Sequence, residues 1–258
     1  LTLTVSKNLH PAESAHWYTR EGLPAYEVMA KNGSMRATTL RDARIHGYLP
    51  SVTSIINCAA KPGLDRWKQE QVLLAALTLS RLPTESEEDY LVRVMDDSRE
   101  QGKKAAERGT AIHASIEGFY GGEGMGEHPN HVRGLENALT GHLGAMEWIP
   151  EKAFACSFGY GGKLDLLGIG ASQQIIVDVK TKEFTEKKLP EAYDDHLMQL
   201  AAYRAGVSSK ARCINAFVSS IKPGLVHLHE WQEDELERGW KMFSGLLHYW
   251  YAKSKLDI

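Results

Sequence analysis

Apolar and polar positions alternate most clearly in the second half of the chain. Residues 151–159 (EKAFACSFG), 161–170 (GGKLDLLGIG) and 174–182 (QIIVDVKTK) are short runs rich in Val, Ile, Leu and Phe, separated by Gly and polar turns. That pattern predicts three β-strands. Residues 212–221 (RCINAFVSSI) and 225–231 (LVHLHEW) predict two more. Residues 189–206 carry helical spacing between the third and fourth strands, and 233–253 form a closing amphipathic helix.

The first half has a different texture. Residues 21–39 mix Gly, Pro, Tyr and charges and predict short strands and turns, with Asn32-Gly33 as a hairpin signal. Ser51 is placed to cap a short helix over 52–60, which Pro62-Gly63 breaks, and 64–82 predict a longer helix. Thr84 with Glu87 fits a capping box opening a helical run toward Tyr120, with Gly102 and Gly109 as expected interruptions. A flexible link over 121–130 leads to an amphipathic helix over 131–149. The expectation is an α/β protein: an α-rich N-terminal region, residues 1–149, leading into a core at 150–258 built on a central mixed β-sheet flanked by helices, the two forming one catalytic unit.

Composition narrows the classes. The chain has 258 residues, 43% of them hydrophobic and 24% charged, which suits a globular protein with a sizeable core. No apolar run reaches the roughly 18 residues of a membrane span, and LTLTVSKNLH lacks the apolar stretch of an export leader. Cys58, Cys156 and Cys213 are odd in number and widely spaced, so neither a zinc site nor a disulfide framework is indicated. A reducing, intracellular setting is expected. Net charge is −3, so any nucleic-acid binding must rest on a local basic groove or on cations that screen phosphates.

Against this background two acids stand out. Asp165 sits in an apolar strand-like run, and Asp178-Val179-Lys180 interrupts the next. Burying such groups among Leu, Ile and Val costs several kcal/mol each unless they pair or bind a metal. In a strand Asp178 and Lys180 share one face, with Val177 and Val179 on the other. If the two strands pair, Asp165 reaches the same edge. Two carboxylates, with the Val179 carbonyl, then suit Mg²⁺ or Mn²⁺, while Lys180 would orient water or stabilise charge on a phosphate. His113, on an Ala-rich helix, can add an imidazole ligand, which favours Mn²⁺ somewhat, and Glu117 one turn on could orient it. His196, Gln199 and Tyr203 fall on roughly one helical face and suit a nucleic-acid groove as a set, although each alone reads as an ordinary structural residue.

Together these residues resemble the PD-(D/E)xK nuclease superfamily, in its RecB-like exonuclease branch. RGTAIH is similar to the branch's Gly-x-x-x-His motif, giving His113, and GGKLD to its Gly-x-x-Asp motif, giving Asp165. VDVKTK resembles the (D/E)xK motif, giving Asp178 and Lys180, and QLAAY the Gln-x-x-x-Tyr motif, giving Gln199 and Tyr203. Upstream, TLRDARIHGYLPSVTSII and KPGLDRW resemble phage members and the mitochondrial genome maintenance exonuclease group. With these upstream segments the resemblance runs from about residue 38 to about 205, and four motifs in order are far more specific than any one alone.

The resemblance implies a restriction-endonuclease-like core and divalent-metal hydrolysis of DNA, often from single-stranded ends. Its metal would be held by His113, Asp165, Asp178 and Val179, with Lys180, Asp165 and Asp178 catalytic. Ser51, Thr53, Ser54 and Arg108 would contact DNA phosphates, although helix capping explains the hydroxyls equally well. Glu151 would be an outer carboxylate. No iron–sulfur cluster is expected, because relatives that carry one use four cysteines. No GxxxxGK[ST] motif is present, so ATP-driven work would need a recombination or replication partner. A structure-specific endonuclease and a catalytically silent DNA-binding module on the same fold remain the alternatives.

Overall fold

The computed structural model describes residues 16–256, so the leader expectation on LTLTVSKNLH lies outside the described residues. Short elements come first: β1 (Trp17–Tyr18), β2 (Glu27–Met29), β3 (Met35–Ala37), α1 (Leu40–His46), β4 (Leu49–Pro50) and α2 (Val52–Ile56). The expected hairpin forms between β2 and β3, with Gly33 at φ 83, a conformation glycine reaches without steric penalty. Three longer helices follow, α3 (Pro62–Thr78), α4 (Glu87–Tyr120) and α5 (Pro129–Leu143). The second half runs β5 (Glu147–Cys156), β6 (Tyr160–Ile169), β7 (Gln174–Lys182), α6 (Asp194–Val207), β8 (Arg212–Ser219), β9 (Val226–Trp231) and α7 (Glu233–Ser254).

The five long strands form one mixed sheet in the order β5-β6-β7-β8-β9. β7 and β8 are parallel and joined through α6, as a parallel pair requires a crossover, and the other neighbours are antiparallel. Each face is covered. Ile112 and Ile116 of α4, with Val132, Leu135 and Leu139 of α5, pack on Ile175, Val177 and Val179 of β7. On the opposite face α2, α6 and α7 cover Leu164 and Ile176 with Leu197, Leu200, Phe243 and Trp250. Among the described residues no helix is long and apolar enough to cross a membrane.

Several boundaries differ from the sequence expectation for identifiable reasons. α5 stops at Leu143 because Gly144 turns at φ 77, so residues 147–149 join β5, which crosses the expected 149/150 boundary. Ser86, rather than Thr84, caps α4: its hydroxyl accepts from the Asp89 N–H at 3.0 Å and donates to the Asp89 carboxylate at 2.7 Å. Gly102 and Gly109 do not interrupt α4. A Cβ on Gly102 would meet the Trp67 ring of α3 at 3.4 Å, and one on Gly109 would lie 3.8 Å from Thr181 of β7. Each sits where the helix approaches a neighbour, and about 1 kcal/mol of propensity is too little to break a helix held on both sides. Pro62 occupies the first turn of α3, where its missing N–H is harmless, and α6 begins at Asp194, later than the expected 189, with Tyr193 as its N-cap.

Candidate active site

The site forms where two strands part. β6 pairs with β7 from Ile169↔Gln174 to Leu166↔Val177 and no further. The next residue back along β6 is Asp165, whose carboxylate accepts the Val179 N–H at 2.7 Å and so stands in for the lost strand carbonyl. β7 continues past this point because its other edge stays paired with β8 as far as Lys182↔Ser219. An acid is thereby fixed at a fork in the sheet, held by backbone rather than by a flexible neighbour.

The two glycines before it have a packing cause. A Cβ on Gly161 would come within 2.6 Å of Tyr18, and one on Gly162 within 2.7 Å of Phe154 and 2.9 Å of Tyr203. Aromatic rings lie directly on the β6 backbone here, which ties the N-terminal segment and α6 to the strand that carries Asp165. Ser51 adds a bridge to Gly161 from the other side.

Asp165 meets His113 of α4, with Nε2 to Oδ2 at 3.3 Å. Glu151 of β5 completes the group: ligand atoms of His113, Glu151 and Asp165 all lie within 4.8 Å of one another. The uniform β5–β6 register places Glu151 opposite Asp165, between the pairs Pro150↔Leu166 and Lys152↔Leu164. Glu151 also has φ 52, a left-handed conformation that costs a non-glycine residue energy and collects at functional positions. The Lys163 ammonium contacts its carboxylate. One imidazole and two carboxylates at this spacing fit a divalent cation such as Mn²⁺ or Mg²⁺ by donor chemistry.

Asp178 is absent from that group. It lies on the α6 face of β7, 1% exposed, and its oxygens are engaged. Lys180 Nζ donates to Oδ1 at 2.9 Å, and Asn215 Nδ2 donates to Oδ2 at 2.8 Å. Asn215, the register partner of Asp178 on β8, accepts in turn from Trp231 Nε1 at 2.7 Å. Lys180 also donates to Gln199 Oε1 at 3.1 Å, and Gln199 Nε2 donates to Tyr203 Oη at 2.9 Å. A continuous network from Trp231 to Tyr203 therefore fixes the Lys180 ammonium, as paired, satisfied buried groups should.

The electrostatics follow from burial and these partners. Burial opposes the Asp165 carboxylate, but His113, Lys180 and the Val179 N–H together hold its pKa below the ordinary value. The Asp165 carboxylate raises His113 above its ordinary value, against the effect of burial. Burial pushes Asp178 up to about 6, with Lys180 pulling the other way. Lys180 loses solvation too, yet Asp178 and Asp165 keep its pKa above that of a free lysine.

The remaining residues that the sequence points to fall in several places. Gln199 and Tyr203 hold Lys180 in position. Ser51 caps α2, with Oγ accepting the Ser54 N–H at 3.1 Å and bonding the Thr53 and Ser54 hydroxyls at 3.0 and 2.8 Å. Arg108 is exposed on α4, 4.0 Å from Glu183. Glu117 lines a cleft of about 350 Å³ with Glu123 and Glu151. Asn215 and Trp231 were not singled out from sequence; an Asn inside the apolar run INAFV was the one available signal.

His196 is buried, 7% exposed, and its Nδ1 accepts the Tyr193 N–H at 3.1 Å, closing the first turn of α6. Burial lowers its pKa to about 4. The unfolded chain protonates near 6.5 and so binds the extra proton first. Stability from this group is therefore complete above pH 6.5 and is lost as pH falls toward 4. In urea unfolding, wild type should lose about 2–3 kcal/mol more than His196→Asn between pH 7 and pH 4.5. Parallel pH profiles for the two proteins would show that His196 is not the source.

Comparison with known proteins adds little. No family model matches the sequence, and no curated protein matches it. Among solved structures, "Crystal structure of SSO0001" is similar at 16% identity with a TM-score of 0.29, covering 71% of this chain and 86% of that one. A likeness at that level places no constraint on what this chain does.

Proposed function

We propose that the chain is a divalent-metal-dependent deoxyribonuclease on a restriction-endonuclease-like core, acting on single-stranded DNA from an end. The observation that carries this reading is the His113–Glu151–Asp165 group, at a fork of the sheet whose strand β7 also bears a fixed ammonium, Lys180. The four ordered motifs support the same reading from the sequence side.

His113, Glu151 and Asp165 would hold the cation. When bound, it supplies electrophilic stabilisation of a phosphoryl oxygen and lowers the pKa of water. The chain's own contribution is positioning and charge. Lys180 has three N–H donors and lies 2.9 and 2.8 Å from the two Asp178 oxygens and 3.1 Å from Gln199 Oε1, so a phosphate oxygen or an attacking water would share an N–H with the Asp178 carboxylate. Asp178 keeps that amine protonated and aimed. Because Gln199 also grips Lys180, the ammonium needs no reorganisation when charge develops on the phosphate.

Hydrolysis of linear and circular single strands of equal length, with Mn²⁺ present, tests the proposal. Linear strands should be consumed and circles spared. Rapid cutting of circles would replace the exonuclease reading with an endonuclease, and inertness toward both would remove the nuclease reading.

A further inference from the structure

Beside the catalytic group lies a cleft of about 160 Å³ that the chemistry above does not use. His16 and Tyr26 form one wall, with ring centroids 4.6 Å apart and planes 30° from parallel. Tyr18 also lines the cleft and braces Tyr26 edge-on at 88°, with their hydroxyls 2.8 Å apart. Tyr203 and Gly162 line the same cleft, and a side chain on Gly162 would run into Tyr203. Thr53, whose hydroxyl bonds Ser51 at 3.0 Å, and Lys163, whose ammonium contacts Glu151, add polar lining.

Two of these residues also belong to the candidate active site. Lys163 contacts Glu151, and Tyr203 leads through Gln199 to Lys180. Through these contacts the cleft is linked to both the Glu151 carboxylate and the Lys180 network. From the rings, the polar lining and this position we infer that the cleft is a stacking pocket for one unpaired nucleobase of the strand being cut. This rests on the nuclease reading above. The chemistry matches: aromatic faces bind any base without demanding sequence, while the hydroxyl and ammonium suit the adjoining sugar and phosphate. The size matches as well, since a cleft well below the 300–1,000 Å³ typical of larger ligands takes a single ring system and excludes a base pair. Selection of single strands over duplex then arises at this pocket.

Binding without a divalent cation separates the pocket from catalysis. Two fluorescein-labelled strands of equal length serve as probes, one of ordinary deoxynucleotides and one built entirely of abasic tetrahydrofuran units, compared by anisotropy in EDTA. Wild type should bind the base-bearing strand about tenfold more tightly or better. His16→Ala, at an exposed position, and Tyr26→Ala should lose most of that difference while leaving affinity for the abasic strand unchanged. Tyr26→Phe keeps the ring and should retain the preference, which guards against a folding explanation. Equal binding of both strands by wild type, no binding of either, or a preference that survives in His16→Ala and Tyr26→Ala would each overturn the pocket. Hydrolysis in Mn²⁺ without base preference would sink the pocket and spare the nuclease; base preference without hydrolysis would do the reverse.

Discussion

Asp165→Asn should abolish hydrolysis, with a loss of about 10³-fold or more, because a cation's stabilisation of a phosphoryl oxygen amounts to several kcal/mol. The fold should survive. The amide oxygen of Asn can still accept the Val179 N–H that Asp165 now takes at 2.7 Å, so the fork between β6 and β7 stays closed. Removing the charge gives up its favourable interaction with His113 and Lys180, so stability without metal should fall only slightly. The metal response should vanish. Wild type in Mn²⁺ at about 100 times its dissociation constant gains about 2.7 kcal/mol, readable as a rise in Tm, and Asp165→Asn should show none. A variant whose Tm still rises in Mn²⁺ as wild type does would instead assign Asp165 a purely structural role.

Asn215→Ala should give the largest stability loss. The residue is fully buried and satisfies two neighbours at once, donating to Asp178 and accepting from Trp231. Its removal leaves a buried carboxylate one donor short, an indole N–H without an acceptor, and a small void. Unsatisfied buried groups cost about 1–3 kcal/mol each. A total near 3 kcal/mol should lower Tm by about 6–12 °C for a chain of this size. Activity should fall as well, since Asp178 would no longer be held where it fixes Lys180. Unchanged melting would mean that water or local rearrangement replaces both partners.

Much of the architecture can be read in the sequence because burial and periodicity agree. The apolar faces of β7 and β8 alternate as a sheet between two helical layers demands, and Asp178 and Lys180 do share one face of β7. The short boundary errors trace to single residues, such as Gly144 ending α5 and Ser86 capping α4 ahead of the expected Thr84 box. The site is legible residue by residue but not in its pairings. Strand alternation places Asp178 on a face; it does not say that Asn215, 37 positions away, lies opposite and occupies its carboxylate. Nor does it reveal that Glu151, rather than Asp178, joins His113 and Asp165, because that depends on the β5–β6 register. His196 misleads for a related reason. Nearly every residue from His196 to Tyr203 is buried, so α6 has no polar stripe to mark which side meets solvent.

The central claim is that this fork of the sheet performs cation-dependent hydrolysis of DNA. It is tested most directly by following an end-labelled single strand with wild type and Asp165→Asn in Mn²⁺ and in EDTA. The account predicts that wild type degrades the strand only with the cation and that the variant leaves it intact in both. A strand untouched by wild type in Mn²⁺ and in Mg²⁺, or one cut equally fast by Asp165→Asn, would contradict it.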